Sequence, residues 1–238
     1  MIHWDPPGPY IVGFTDRTGG VSGGAYESLN LGALTEDEPE NVTENRRRAC
    51  AAVGVDPETA TMAWQHHSAE VTRAAPRGLL TPGTVFERCD GLWSDDPGQG
   101  MMLLTADCLP VAIARANGMK PALAVLHVGW RGLLGGIAAA GARALGGGRL
   151  AAAIGPGIGP CCYEVGEEVA EPFRAAYGDV VSDGRLDLWS AAERALRAAG
   201  CEQVERSDLC TYCHPELFYS HRRDKGRTGR QGVLAAIT

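Results

Sequence analysis

The chain has 238 residues, 45% hydrophobic and 21% charged, which is enough apolar material for a packed core and excludes a disordered polymer. Its formal net charge of −7 argues against nucleic acid as a partner, and no run is long and apolar enough to span a bilayer. The N-terminus lacks the basic-then-apolar order of a signal peptide, so a cytoplasmic location is expected, where eight cysteines read as free thiols, metal ligands or a nucleophile.

In chain order, a short apolar run predicts a strand over residues 10–15. A helix follows over 39–53, then strands over 101–105, 110–114 and 122–127. A helix over 133–145, a strand over 150–154, helices over 166–177 and 187–199, and a strand over 233–237 complete the series. The last helix opens on Asp187 as N-cap and stops at Gly200, with Leu188, Ala191, Ala192, Ala195 and Leu196 on one face. Strands and helices alternate without a regular βαβ rhythm. That predicts one α+β domain over residues 1–238 with a mixed sheet. Gly155-Pro156-Gly157-Ile158-Gly159-Pro160 follows a strand, but its prolines and glycine spacing exclude a dinucleotide-binding loop. It reads as a tight loop shaping a pocket wall.

Three stretches end apolar runs with reactive side chains: Trp64-Gln65-His66-His67-Ser68, Thr105-Ala106-Asp107-Cys108-Leu109-Pro110, and Leu126-His127-Val128-Gly129-Trp130-Arg131-Gly132. Strand ends are rigid platforms that aim side chains into a common cleft. Two imidazoles and a thiolate suit zinc and leave a fourth position open. The spacing is not a local zinc signature, so two other readings stand beside it. Cys108 and His127 are then ordinary core residues, or Cys108 is a nucleophile with a histidine as its base. Cys210-Thr211-Tyr212-Cys213 is a lone CxxC, and Cys161-Cys162 is a pair whose adjacency disfavours shared ligation; structural thiols are expected for both. The arginines between 222 and 230 read as a solvated surface or a phosphate site, and Arg131 is the better anion candidate because it adjoins the His127 stretch.

These stretches, taken together, resemble the family known variously as multicopper polyphenol oxidoreductases (laccases), YfiH-like proteins and purine nucleoside phosphorylases. The resemblance covers almost the whole chain. It begins with Phe14-Thr15-Asp16-Arg17-Thr18-Gly19-Gly20-Val21-Ser22 and Ser28-Leu29-Asn30-Leu31-Gly32. It runs through Asn45-Arg46, the three stretches above and residues 154–166. It ends with Leu217-Phe218-Tyr219-Ser220-His221-Arg222-Arg223-Asp224 and Thr228-Gly229-Arg230-Gln231. It implies an α+β sandwich with a mixed β-sheet flanked by helices, similar to the YfiH-like cysteine hydrolases. It also implies a zinc site at His67, Cys108 and His127, with His66 as a rival first ligand and copper less suited to a chain with six histidines.

The implied activity is phosphorolysis of adenosine, inosine, guanosine and methylthioadenosine to base and ribose 1-phosphate, together with adenosine deamination. Asp107 is then a candidate acid–base group by position, and Arg46, Arg131 and Arg230 are candidate cations for phosphate. The partners are small molecules, and the chain is expected to be a monomer or small homo-oligomer. A peptidoglycan-precursor editing factor, a metal-independent Cys/His hydrolase and a polyphenol oxidase are the alternatives.

Overall fold

Period-two alternation builds the layers. In the last strand Val233, Ala235 and Ile237 face one core, while Leu234 and Ala236 face another. The computed structural model describes residues 1–81, 83–116 and 119–238. Its strands are β1 (Ile2–Trp4), β2 (Tyr10–Phe14), β3 (Thr61–Met62), β4 (Val71–Arg73), β5 (Gly91–Ser94), β6 (Met101–Thr105) and β7 (Leu109–Ala116), followed by β8 (Leu123–Val128), β9 (Arg149–Ile154), β10 (Val181–Ser182), β11 (Arg185–Leu186), β12 (Cys201–Arg206) and β13 (Gln231–Ile237). Its helices are α1 (Pro39–Val53), α2 (Trp130–Leu134), α3 (Ile137–Ala144), α4 (Glu167–Tyr177) and α5 (Leu188–Ala198).

One sheet has the order β1-β2-β13-β6-β3 and the other β12-β9-β7-β8-β5-β4; both are mixed. Their inner faces meet through Val12, Phe14, Leu103 and Val233 on one side and Ala112, Ala114, Val125 and Ala153 on the other. Small alanines on the six-stranded side let the sheets approach. The outer face of the five-stranded sheet packs Met102, Leu234 and Ala236 against Ala49, Cys50 and Val53 of α1. The outer face of the other packs Val111, Ile113, Leu126 and Ile154 against Leu133, Ile137, Phe173 and Leu196 of the remaining helices. The result is a four-layer α+β sandwich.

The expected helix over 133–145 is two helices. Gly136 adopts φ +87°, which breaks the run at Gly135-Gly136, and the first piece starts earlier, behind Gly129. The expected cap of α5 is present: the Asp187 carboxylate accepts from the Ser190 N–H at 2.9 Å, and Gly200 turns left-handed beyond its end. Strands absent from the sequence reading are two to four residues long, too short to show a period, or, like β12 with Glu202, Gln203 and Glu205, polar edge strands without a clear apolar run.

Gly232 holds β13 tightly against β6, which delivers the candidate site. A Cβ there would overlap the Leu103 carbonyl in the adjacent strand. Gly232→Ala is expected to destabilise the fold by about 3 kcal/mol, the upper end for overpacking against rigid backbone. A urea midpoint within error of wild type would contradict this account of the sheet.

Candidate functional site

Two chain segments cross from one sheet to the other at the same end of the sandwich. Residues 63–70 lead from β3 to β4, and residues 106–108 lead from β6 to β7. Each crossing contains a residue in left-handed backbone: His67 at φ 63° and Asp107 at φ 90°. Such a conformation costs an L-residue about 1–2 kcal/mol, so surrounding bonds must hold it. His127 arrives on β8, opposite Pro110 of β7.

The holding group is Asp90, fully buried just before β5. Its Oδ1 accepts from the His67 N–H at 2.9 Å and from His127 Nδ1 at 2.8 Å. Its Oδ2 accepts from the His66 N–H at 3.1 Å, the Ser68 N–H at 2.7 Å and the Ser68 hydroxyl at 2.8 Å. Burial would raise the carboxyl pKa. The bonds from His127 and Ser68 override it and hold Asp90 far below the usual carboxylate range. Engaging Nδ1 of His127 leaves its Nε2 for the cleft, the arrangement in which a carboxylate fixes the tautomer of a metal-binding histidine.

His67, Cys108 and His127 place their ligand atoms within 4.8 Å of one another, with the two rings edge-on at 5.0 Å between centroids. His127 is buried, Cys108 half-buried and His67 exposed, so the group opens to solvent on the His67 side. Gly129 lines it; a Cβ there would lie 3.0 Å from Cys108 Sγ and 3.1 Å from His67 Cδ2. Burial works against a Cys108 thiolate. The positive charge and hydrogen bond of His127, aided by His67, overcome it and pull the thiol down to about 6. Burial likewise opposes a His127 imidazolium, but the Cys108 thiolate and Asp90 push it up to about 9. The donor set therefore fits a thiophilic divalent ion: one sulfur ready to ionise, two imidazoles, and a side of the cleft kept clear by glycine.

The other residues singled out from the sequence divide. His66 lies outside the group; its Nδ1 is 3.4 Å from the Trp64 carbonyl and its Nε2 4.0 Å from Glu70. Asp107 is tied to the neighbouring loops: its Oδ1 accepts from the Thr211 hydroxyl at 2.6 Å and its Oδ2 from the Arg222 N–H at 2.7 Å, which fixes the turn before Cys108. Arg46 lies away from the group: it is buried on the inner face of α1, donating to the Leu31 and Leu79 carbonyls at 3.0 Å each. Arg230 is half-buried within charge reach of Asp107 and Cys108, its Nη1 donating to the Thr228 and Gly229 carbonyls. Arg131 is exposed and stacks 4.2 Å over the Trp130 ring.

Two residues escaped the sequence reading. Asp90 sits in Cys89-Asp90-Gly91, a lone carboxylate at the mouth of an apolar strand, which was the available signal. Tyr163 is half-buried beside Cys108. Burial, with the charges of Cys108 and Asp107, pushes its phenol up to about 12 against the opposing pull of Arg222 and Arg131. Arg222 stacks on its ring at 5.4 Å. The thiol pair and the CxxC also differ from expectation: Cys161, Cys162, Cys210 and Cys213 form a second close group. Adjacent residues alternate faces only in a strand, and Cys161-Cys162 lies in a turn.

Comparison with known proteins places the site in a wider set. Residues 11–238 match a family model described as multi-copper polyphenol oxidoreductase laccase. A purine nucleoside phosphorylase of Pseudomonas aeruginosa is 38% identical over 97% of this chain and 95% of its own length. The purine nucleoside phosphorylase YfiH of Escherichia coli is 37% identical over 95% and 93%. The crystal structure of the Bacillus licheniformis hypothetical protein YfiH superposes with a TM-score of 0.88 at 31% identity, covering 96% of this chain and 93% of that one.

Asp90→Asn replaces an acceptor-only carboxylate with an amide that cannot satisfy both His127 and the 66–68 turn. Zinc affinity measured by chelator competition is expected to fall about 10- to 100-fold, and unchanged affinity would remove Asp90 from the account. In metal-stripped protein, alkylation of Cys108 followed by peptide mass mapping should be level above neutral pH and fall as pH drops through about 6. A rate still climbing at pH 9, as for an ordinary thiol, would show that His127 does not hold the thiolate.

Proposed function

The chain belongs to the family described as multi-copper polyphenol oxidoreductase laccase, and from that premise we propose that it is a purine nucleoside phosphorylase whose site is the His67–Cys108–His127 group with zinc bound. The observation that carries the reading is the buried Asp90 carboxylate, which aims His127 and the His67 turn at one point beside an ionisable cysteine. Zinc held there would act as a Lewis acid with an open coordination position.

In phosphorolysis a phosphate oxygen bonds to ribose C1′ as the bond from C1′ to the purine nitrogen breaks, giving base and ribose 1-phosphate. The incoming anion needs cations, and Arg230 and Arg131 serve, the first within charge reach of Asp107 and Cys108 and the second within charge reach of Tyr163. The leaving purine needs a proton donor. Tyr163 suits this role because its phenol stays protonated. Adenosine, inosine, guanosine and methylthioadenosine are the proposed substrates. Conversion of adenosine to inosine, with water adding at C6 and ammonia leaving, is proposed as a second use of the same cleft. Of six histidines in the chain, His67 and His127 alone share a metal-sized group among the described residues, too few for several coppers. A second reading rests on the Cys108–His127 pair itself, which is poised as thiolate and imidazolium and would support metal-free nucleophilic catalysis.

The test is turnover of adenosine with phosphate by purified protein, with products resolved by chromatography, beside Cys108→Ala and a chelated sample. Adenine with ribose 1-phosphate, or inosine, is expected from wild type alone, with turnover lost in both the variant and the chelated protein. Full activity after chelation would transfer the chemistry to the Cys–His pair. Bound zinc without turnover of any purine nucleoside would overturn the enzyme assignment and bring forward a role in editing peptidoglycan precursors.

A further inference from the structure

Four of the eight cysteines lie outside the site just described and converge on one point. Cys161 and Cys162 come from the turn after Pro160, and Cys210 and Cys213 from the CxxC beyond β12. All four sulfurs lie within 4.8 Å of one another. Cys213 Sγ is 3.5 Å from Cys161 Sγ and 3.4 Å from Cys162 Sγ. A disulfide needs about 2.05 Å and joins only two sulfurs. Four sulfurs around a zinc-sized ion, each about 2.3 Å from it, stand about 3.8 Å apart. The observed spacing matches the second arrangement.

The backbone is prepared for a thiolate. Cys210 Sγ accepts from the Gly159 N–H at 3.3 Å, and the CxxC folds back as a turn, a knuckle behind its first sulfur. The two loops are laced together: Thr211 N–H donates to the Gly157 carbonyl at 3.1 Å, and Gly157 N–H to the Leu209 carbonyl at 3.2 Å. Cys161 and Cys213 are exposed, and a cavity of about 270 Å³ lined by Cys161, Cys162, Glu164, Tyr212 and Arg222 gives an ion a way in.

We propose that Cys161, Cys162, Cys210 and Cys213 form a second metal site, a structural four-thiolate centre for a thiophilic divalent cation of the zinc class. Binding displaces the thiol protons and leaves no open coordination position, so the centre is not a second reaction site. Its effect reaches the cleft through two short links. Thr211, inside the knuckle, donates to Asp107, and Tyr163 directly follows Cys162. The ion would fix the loops that hold the turn before Cys108 and the phenol beside it.

The experiment counts zinc per chain in full-length protein reconstituted with zinc under reducing conditions and then dialysed. The variants are Cys108→Ala, Cys108→Ala with Cys213→Ser, and Cys108→Ala with Cys161→Ser. One ion is expected to remain in Cys108→Ala, independent of whether the other site binds metal or turns over purines. That ion should be lost in both double variants, whose circular dichroism stays that of a folded chain. Cobalt in Cys108→Ala should give the strong sulfur-to-metal charge-transfer band of a thiolate set. Equal zinc in the single and double variants would overturn the proposal. So would peptide mapping that finds Cys213 disulfide-bonded to Cys161 or Cys162 in the reconstituted protein.

Discussion

One carboxylate with five donors organises the cleft. Asp90 is fully buried, and an ionised carboxylate without partners would be expelled or neutralised in such surroundings. Here three backbone N–H groups, the Ser68 hydroxyl and the His127 ring meet its two oxygens. Oδ1 is shared between the His67 backbone amide and the His127 ring, so two residues far apart in sequence are registered against a single atom. The same bonds hold His67 in left-handed backbone, a conformation it would leave if the turn were free. Positioning and strain compensation are thus one interaction.

The four-layer sandwich explains why the site forms where it does. A chain that changes sheets must turn sharply between two strands of different layers. The 63–70 and 106–108 crossings do this at the same end of the molecule. Asp107 anchors its crossing from the far side, through Thr211 and the Arg222 amide, as Asp90 anchors the other. The cleft is therefore braced by two carboxylates, one behind the His67 turn and one behind the turn before Cys108. The proposed four-thiolate centre would extend that bracing to the loops behind Asp107.

Elements with a complete local code were legible. Residues 101–105 and 39–53 match their strand and helix end to end, because each combines a clear apolar period with a defined boundary, including Pro39 at the first turn of α1. The 133–145 run misled because its alanines continue the helical pattern through Gly135-Gly136, and a left-handed glycine leaves no mark on hydrophobic period. Arg46 is a candidate cation under the activity the resemblance implies, and only the Leu31 and Leu79 carbonyls beside α1 show its guanidinium buried and paired with backbone.

The sequence by itself determined the layered α+β class, most of the long elements, and three reactive side chains at the ends of apolar runs. These depend on short-range patterns: alternation, capping and the chemical character of single residues. Tertiary structure alone decided which of two adjacent histidines enters the group, and that Asp90 registers it. It also decided that Asp107 braces its turn, and that adjacent cysteines join a distant CxxC. Each of those outcomes depends on where strands from different sheets come to lie. That placement follows from long-range pairing and core packing, which no window of neighbouring residues contains.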